Sequence, residues 1–234
     1  MSGAHRISVI IPAKDAERYL GAAIASIVAQ APSDGAAVAE IIVVDDGSSD
    51  ATAAVARAAS PLVHVVTQPA SGIGAARNAG VRASDGDWLA FLDADDLWEP
   101  DKLALQVTAL AAAPDSIVLG QVEEFTSPEL GDAEKARLLP KPGRLPGWLA
   151  GAMLLARSTF EAVGPFDAGL AVGETIAWFA AARARATPTV VLDALVLRRR
   201  LHGANYTLTQ REVRAADYVA LAKQMLDRKR RGGA

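Results

Sequence analysis

Runs rich in β-branched residues alternate, through the first half of this chain, with segments whose apolar residues recur at helical spacing. Residues 7–11 form one such run, closed by Pro12, and residues 16–30 then carry Leu20, Ile24, Ile27 and Val28 at helical intervals. The expected order is strand, loop, helix. The unit recurs as a strand over 40–44, the polar run Asp45-Asp46-Gly47-Ser48-Ser49-Asp50, and a helix over 51–59 that Asp50 is placed to cap. A third strand is expected over 62–66, then a glycine-bearing turn at 71–74, a short helix over 75–83 and a fourth strand over 88–92.

The second half is less regular. Residues 128–146 are rich in proline, glycine and charge, lack periodicity, and read either as a mobile loop near a site or as a plain surface excursion. Beyond them, 153–156 reads as a buried strand, 174–186 as a helix, 189–199 as a pair of short strands, and 210–226 as a final helix. A basic tail, Arg228-Lys229-Arg230-Arg231, follows.

Continuous apolar strands alternating with helices predict a single Rossmann-like α/β domain, its mostly parallel central sheet covered by helices on both faces. In such sheets ligands bind at the carboxyl ends of the strands. The polar clusters after Ile11, Val44 and Leu92 therefore converge on one edge. A chain of 234 residues is long enough for one such domain with a full core.

Composition narrows the chemistry. A formal net charge of -3 offers no basic field for a phosphate backbone, so nucleic acid is not expected as a partner. The absence of cysteine removes disulfides, thiolate nucleophiles and thiolate metal ligands, leaving carboxylates, imidazole and hydroxyls. No cleavable signal pattern opens the chain and no apolar run approaches the ~20 residues of a membrane span, which points to a cytoplasmic protein. The basic tail reads as disordered, with contact to an anionic membrane surface as the alternative.

Asp93, Asp95 and Asp96 follow an almost wholly apolar strand, and carboxylates this close repel unless a cation or protonation relieves them. One reading is a sparse oxygen site for Mg²⁺ or Mn²⁺ that shares its shell with substrate phosphates. The other is a helix cap at Asp96. Asp45 and Asp46 can accept hydrogen bonds from a base or ribose, or simply build an Asp-Gly turn. Arg77, in Gly72-Ile73-Gly74-Ala75-Ala76-Arg77-Asn78, can grip a diphosphate or cover a helix face. His202, next to Arg198, Arg199 and Arg200, sits on a solvated strand edge or folds back over the carboxylates.

Together these segments resemble the family-2 inverting glycosyltransferases of GT-A fold. The stretches that carry the likeness are Ser8 to Ala13, Ile41 to Asp50, Gly72 to Gly80 and Phe91 to Asp96, in the family's order and separation, with later landmarks at Phe160 to Asp167 and Arg199 to Asn205. The likeness runs from about residue 7 to 206. It implies a GT-A domain over residues 1–206, with a nucleotide-binding half over about 1–98 and an acceptor half over about 99–206, followed by a C-terminal helix and tail over 207–234.

The resemblance also implies roles. Pro12, Ala13 and Asp45 or Asp46 hold the nucleoside, with Asp15 beside them; Arg77 lies next to the nucleotide; Asp93 and Asp95 match the Asp-x-Asp motif, whose last carboxylate binds Mn²⁺ or Mg²⁺ on the diphosphate. His202 matches a position that reaches the same metal. Trp148 near Gly151 falls on the acceptor side, where an aromatic face stacks on a sugar or packs at the rim. The implied reaction is metal-dependent transfer, with inversion, from a nucleotide sugar of the UDP class to a glycan, lipid-linked sugar, small molecule or peptide.

The chain departs from the family at two places. Thr175 stands where relatives carry the Asp base, and a threonine hydroxyl is too weak an acid for that task, which leaves Glu174 as the candidate base. Asp15 replaces a common Asn, and Lys14 a frequent aromatic. Two other functions stay open on the same scaffold: a nucleotide-binding relative that has lost transfer, and a sugar nucleotidyltransferase.

Overall fold

The structure, a computed structural model, describes residues 4–31 and 35–203. The expected final helix over 210–226 and the basic tail lie outside the described residues. Four parallel strands open the domain: β1 (His5–Ala13), β2 (Ala36–Asp45), β3 (Val63–Thr67) and β4 (Trp88–Phe91), ordered β3-β2-β1-β4. Helices α1 (Leu20–Val28), α2 (Thr52–Ala59) and α3 (Ile73–Ala83) connect them. These follow the expected strand-and-helix order closely, because their hydrophobic periodicity is local.

Beyond β4 the sheet becomes mixed. A short β5 (Leu97–Trp98), helix α4 (Lys102–Ala112) and the long β6 (Ile117–Thr126) are followed by a single helical turn α5 (Asp132–Lys135) and β7 (Leu145–Pro146). A 3₁₀ turn (Ala150–Ala152), β8 (Leu154–Ala156), α6 (Arg157–Val163), α7 (Glu174–Ala184) and β9 (Thr189–Leu201) complete the described chain. The sheet order is β3-β2-β1-β4-β8-β6-β9-β5, with β8 antiparallel to both β4 and β6, β9 parallel to β6, and β7 added to β6.

One expectation needs correction. Residues 189–199 are not a pair of short strands but part of one strand, β9, whose pairing with β6 slips twice near Gln121. Asp193 and Ala194 sit in that irregularity, as surplus residues of β9 that bulge out of the pairing.

The strands are buried on both faces, which explains their continuous apolar reading. Ile7, Val9 and Ile11 point into one layer with Leu20, Ile24 and Leu103, while Ile10 faces the other layer with Phe160, Phe166 and Trp178. Gly80 lets α3 lie directly on β1, since a Cβ there would strike the Ile10 side chain.

Candidate functional site

The loops after β1 and β2 are laced together at the carboxyl edge of the sheet. Asp15 takes a positive φ of 47° and its Oδ1 accepts the Ser49 N–H at 2.7 Å and the Ser49 hydroxyl at 3.1 Å. Glu17 N–H donates to Asp50 Oδ2 at 3.0 Å, and Ala16 N–H to Thr52 Oγ1 at 2.8 Å. Asp50 is not the N-cap of α2, since the helix starts at Thr52 with Ala51 as its N-cap, but Asp50 Oδ1 still accepts the Thr52 N–H at 2.9 Å. Pro12 and Ala13 are buried where β1 ends, beside this lacing.

Asp45 and Asp46 have different tasks. Asp45 Oδ1 accepts the Ser48 N–H at 2.9 Å across the turn that Gly47, at φ 75°, makes feasible. Asp46 reaches the loop before α3: it accepts Gln68 Nε2 at 2.7 Å, Ser71 N–H at 2.8 Å and Gly72 N–H at 2.9 Å. The simple Asp-Gly turn therefore describes Asp45, whereas Asp46 is a cross-brace between two loops.

Arg77 does not cover a helix surface. It is 2% exposed, packs 5.5 Å from the Phe166 ring centroid, and sends its guanidinium between two acids. Nη2 donates to Asp93 Oδ1 at 2.6 Å, while Nη1 pairs with Glu174 Oε1 and donates to Thr175 Oγ1 at 3.2 Å. Nε is buried without a hydrogen-bond partner among the described residues. Burial pulls the Arg77 pKa down, but the carboxylates of Asp93 and Glu174 outweigh it and raise it.

Glu174 opens α7 and is 7% exposed. Its Oε1 also accepts the Thr175 hydroxyl at 2.8 Å. Burial acts to raise its pKa, yet Arg77 and the Thr175 hydrogen bond prevail and hold it below the ordinary glutamate value.

The far end of β9 folds back over the aspartates. His202 Nε2 lies 2.9 Å from Asp95 Oδ2, and the imidazole packs 4.6 Å from the Tyr19 ring. Arg200 braces the same turn: its N–H donates to Asp96 Oδ1 at 2.8 Å, its Nε to the Asp95 carbonyl at 2.8 Å, and its Nη1 to Ser127 Oγ at 3.1 Å. Tyr19 and Phe125 flank its guanidinium at 4.9 and 4.8 Å. Asp96 is thus not the cap of a following helix, since β5 intervenes and α4 begins only at Lys102. Burial, then the charges of Asp95 and Asp93, push the Asp96 pKa well up.

Asp93 and Asp95 keep side chains 37% and 27% exposed, so both reach solvent at the carboxyl edge of the sheet. Asp95 with His202 makes a two-residue nitrogen and oxygen set. Among the described residues no group of three or more His, Cys, Asp or Glu is arranged to hold a metal. That pair still fits Mg²⁺ or Mn²⁺, which take one or two protein ligands and fill the remaining positions with water and phosphate oxygens.

On the second half, Trp148 leaves 48% of its surface exposed and rests edge-on against Phe179 at 5.2 Å. It is a rim residue. Gly151, in contrast, is buried, with its carbonyl accepting Trp98 Nε1 at 3.0 Å and the Leu197 side chain crowding the space a Cβ would take.

Three partnerships escaped sequence reasoning: Asp46 with the α3 loop, Arg77 with Glu174, and Arg200 with Asp96. Only the adjacency of Arg200 to His202 hinted at the last.

The family model described as glycosyl transferase family 2 matches residues 8–152. An uncharacterized glycosyltransferase of Nostoc sp. is 44% identical over 102 residues, which cover 42% of this chain and 30% of that protein. The UDP-Glc:alpha-D-GlcNAc-diphosphoundecaprenol beta-1,3-glucosyltransferase WfgD of Escherichia coli is 32% identical over 119 residues, covering 50% of this chain and 46% of that one. The chain thus spans under half the length of these curated relatives.

Solved structures agree on the fold. S. aureus TarS 1-349 in complex with UDP superposes with TM-score 0.64 at 19% identity, covering 84% of this chain and 60% of that one. GalNAc-T7 with UDP, GalNAc and Mn2+ gives 0.66 at 17% identity, with coverages of 86% and 45%. With the family model spanning most of the described domain and the strand order bringing its motifs to one cleft, this chain belongs to glycosyl transferase family 2 and has the GT-A fold.

Proposed function

We propose that this chain transfers a sugar from a UDP-type nucleotide sugar to an acceptor hydroxyl, with inversion and with a divalent cation. The observation that carries the reading is the junction at Arg77, where the exposed Asp93 of the cleft and the acid Glu174 meet one buried guanidinium. Asp45, whose carboxylate accepts a single hydrogen bond among the described residues, is the better placed of the two neighbouring acids to receive a base or ribose. Pro12, Ala13 and Asp15 line the same loop, and Asp93 borders the diphosphate.

Asp95 and His202 are the residues that would hold Mn²⁺ or Mg²⁺. When bound, the cation offsets the negative charge gathering on the departing nucleoside diphosphate. Glu174 takes the acceptor proton. Its Oε1 is held by Arg77 and Thr175, so Oε2, which takes no hydrogen bond among the described residues, is the basic atom. A carboxylate held below its usual pKa is fully ionised at neutral pH, and the acceptor hydroxyl becomes acidic as it bonds to the anomeric carbon. The new carbon–oxygen bond forms as the bond to the β-phosphate oxygen breaks; the electron pair leaves with the diphosphate and the proton goes to Glu174.

Trp148 serves the acceptor side as a half-exposed platform for a sugar ring. The Escherichia coli relative is named for a lipid-diphosphate-linked acceptor, which makes that class the first to assay. The test is sugar transfer from a panel of UDP-sugars with Mn²⁺, with chelator and with Asp95→Ala. Transfer that chelator and Asp95→Ala both abolish supports the reading; transfer indifferent to both overturns the metal role.

A second reading draws on Thr175 and on the ion pair that engages Glu174. In it the chain binds a nucleotide sugar without transferring it. This reading expects saturable, metal-dependent UDP binding with no transfer, and transfer switched on by Thr175→Asp.

A further inference from the structure

Residues 135–148 form a strap tied to the edge of β6 beyond the end of β8. The Leu138 carbonyl accepts the Thr126 hydroxyl at 2.9 Å, Lys141 N–H donates to Glu124 Oε2 at 3.0 Å, Leu145 and Pro146 pair with Val122 and Gln121, and Gly147 N–H donates to the Gly120 carbonyl at 3.0 Å. Of the two readings of this segment, the surface excursion describes it: most of its residues are exposed, and its backbone bonds to β6 at several points.

Its composition is unlike that of the rest of the chain. The protein carries a net charge of -3, yet no acid occurs between Glu134 and Glu161, while Lys135, Arg137, Lys141 and Arg144 fall within the strap. Arg137, Lys141 and Arg144 are exposed and enter no ion pair among the described residues. Between them stands Leu139 at 75% exposure, the most exposed large apolar side chain described, and the strap ends at the half-exposed Trp148.

Unpaired cations interleaved with an exposed leucine and a tryptophan are the pairing found where proteins rest on an anionic bilayer: the cations meet the headgroups while the apolar side chains enter the boundary layer. A soluble polyanion would explain the cations but not Leu139. The basic C-terminal residues carry the same sign of charge, which disfavours them as a cover for the strap.

We propose that the 135–148 strap is a docking surface for an anionic membrane, which sets the rim bearing Trp148 against the bilayer. The inference does not depend on transfer taking place. The measurement is co-sedimentation of the full chain with phosphatidylcholine vesicles and with vesicles that also contain phosphatidylglycerol, comparing wild type, the triple variant Arg137→Gln, Lys141→Gln, Arg144→Gln, and Leu139→Ser.

Binding should need phosphatidylglycerol and fall with salt. It should weaken about five-fold per cation removed, hence about a hundred-fold in the triple variant, and severalfold in Leu139→Ser. Unchanged thermal midpoints and UDP binding would show that the variants fold and keep the nucleotide site. No binding to anionic vesicles, or binding that both variants leave intact because the tail supplies it, overturns the proposal. So does a response to soluble polyglutamate that matches the response to vesicles and is insensitive to Leu139→Ser.

Discussion

Arg77 Nη2 lies 2.6 Å from Asp93 Oδ1, so a helix residue buried under the sheet edge reaches up to hold an acid of the open cleft. The same guanidinium holds Glu174, an acid brought from a distant part of the chain. One cation thereby fixes the spacing between the carboxylate assigned to the donor and the carboxylate assigned to the acceptor proton.

Replacing Arg77 with Met leaves Glu174 buried and unpaired. Removing one partner of a buried ion pair costs about 3–5 kcal/mol, which denaturant unfolding will register as a lower midpoint at constant slope. Adding Glu174→Gln to that variant should recover part of the loss. A penalty below about 1 kcal/mol would show that the pair contributes little.

Glu174→Gln keeps the shape and removes the basic oxygen. The expected outcome is a fall in kcat of about 10²–10⁴ with donor KM nearly unchanged. Thr175→Val, which deletes the hydroxyl 2.8 Å from Glu174 Oε1, should give a smaller fall in kcat that Thr175→Ser restores. A raised donor KM with kcat unchanged for Glu174→Gln would point to a binding role instead.

The Asp95 and His202 pair predicts linked metal and nucleotide binding. UDP with Mn²⁺ should stabilise the wild type by about 2.7 kcal/mol at a ligand concentration near a hundred times Kd. Asp95→Ala and His202→Ala should each shrink the Mn²⁺-dependent part of the thermal shift while leaving the unliganded midpoint near its starting value. Shifts that persist in both variants would remove these residues from the metal site.

Lys102 lies wholly buried, its Nζ over the Trp98 ring at 4.2 Å and bonded to Gln106, and burial lowers its pKa to about 7. In the unfolded chain it titrates near the ordinary lysine value of about 10.4. Between those two points the unfolded state binds more protons, so unfolding free energy should rise with pH, by up to about 1.4 kcal/mol per unit from this group. Lys102→Met should flatten that slope in pH-resolved unfolding curves; an unaltered slope would assign it elsewhere.

Much of the candidate site was visible beforehand. The acids after β2 and β4 announced themselves because they follow apolar strands, and strand ends are where an α/β sheet opens to ligand. Arg77 was seen but its direction was not: helical periodicity describes a face, and cannot tell whether that face meets water or the carboxylate of Glu174. The choice between cation site and helix cap at Asp96 stayed open for a similar reason, since its partner is the backbone of Arg200, which no local pattern identifies.

What the sequence determined by itself is the alternation of strands and helices in the first half and the edge at which its acids gather, because hydrophobic periodicity and strand-end chemistry act over a few residues. Which acids remain open to a ligand, and which are consumed in bracing loops, was decided by the tertiary structure alone. Asp46, Asp96 and Glu174 each bond to a group far along the chain, and such pairings exist only once packing has brought distant segments within hydrogen-bonding reach.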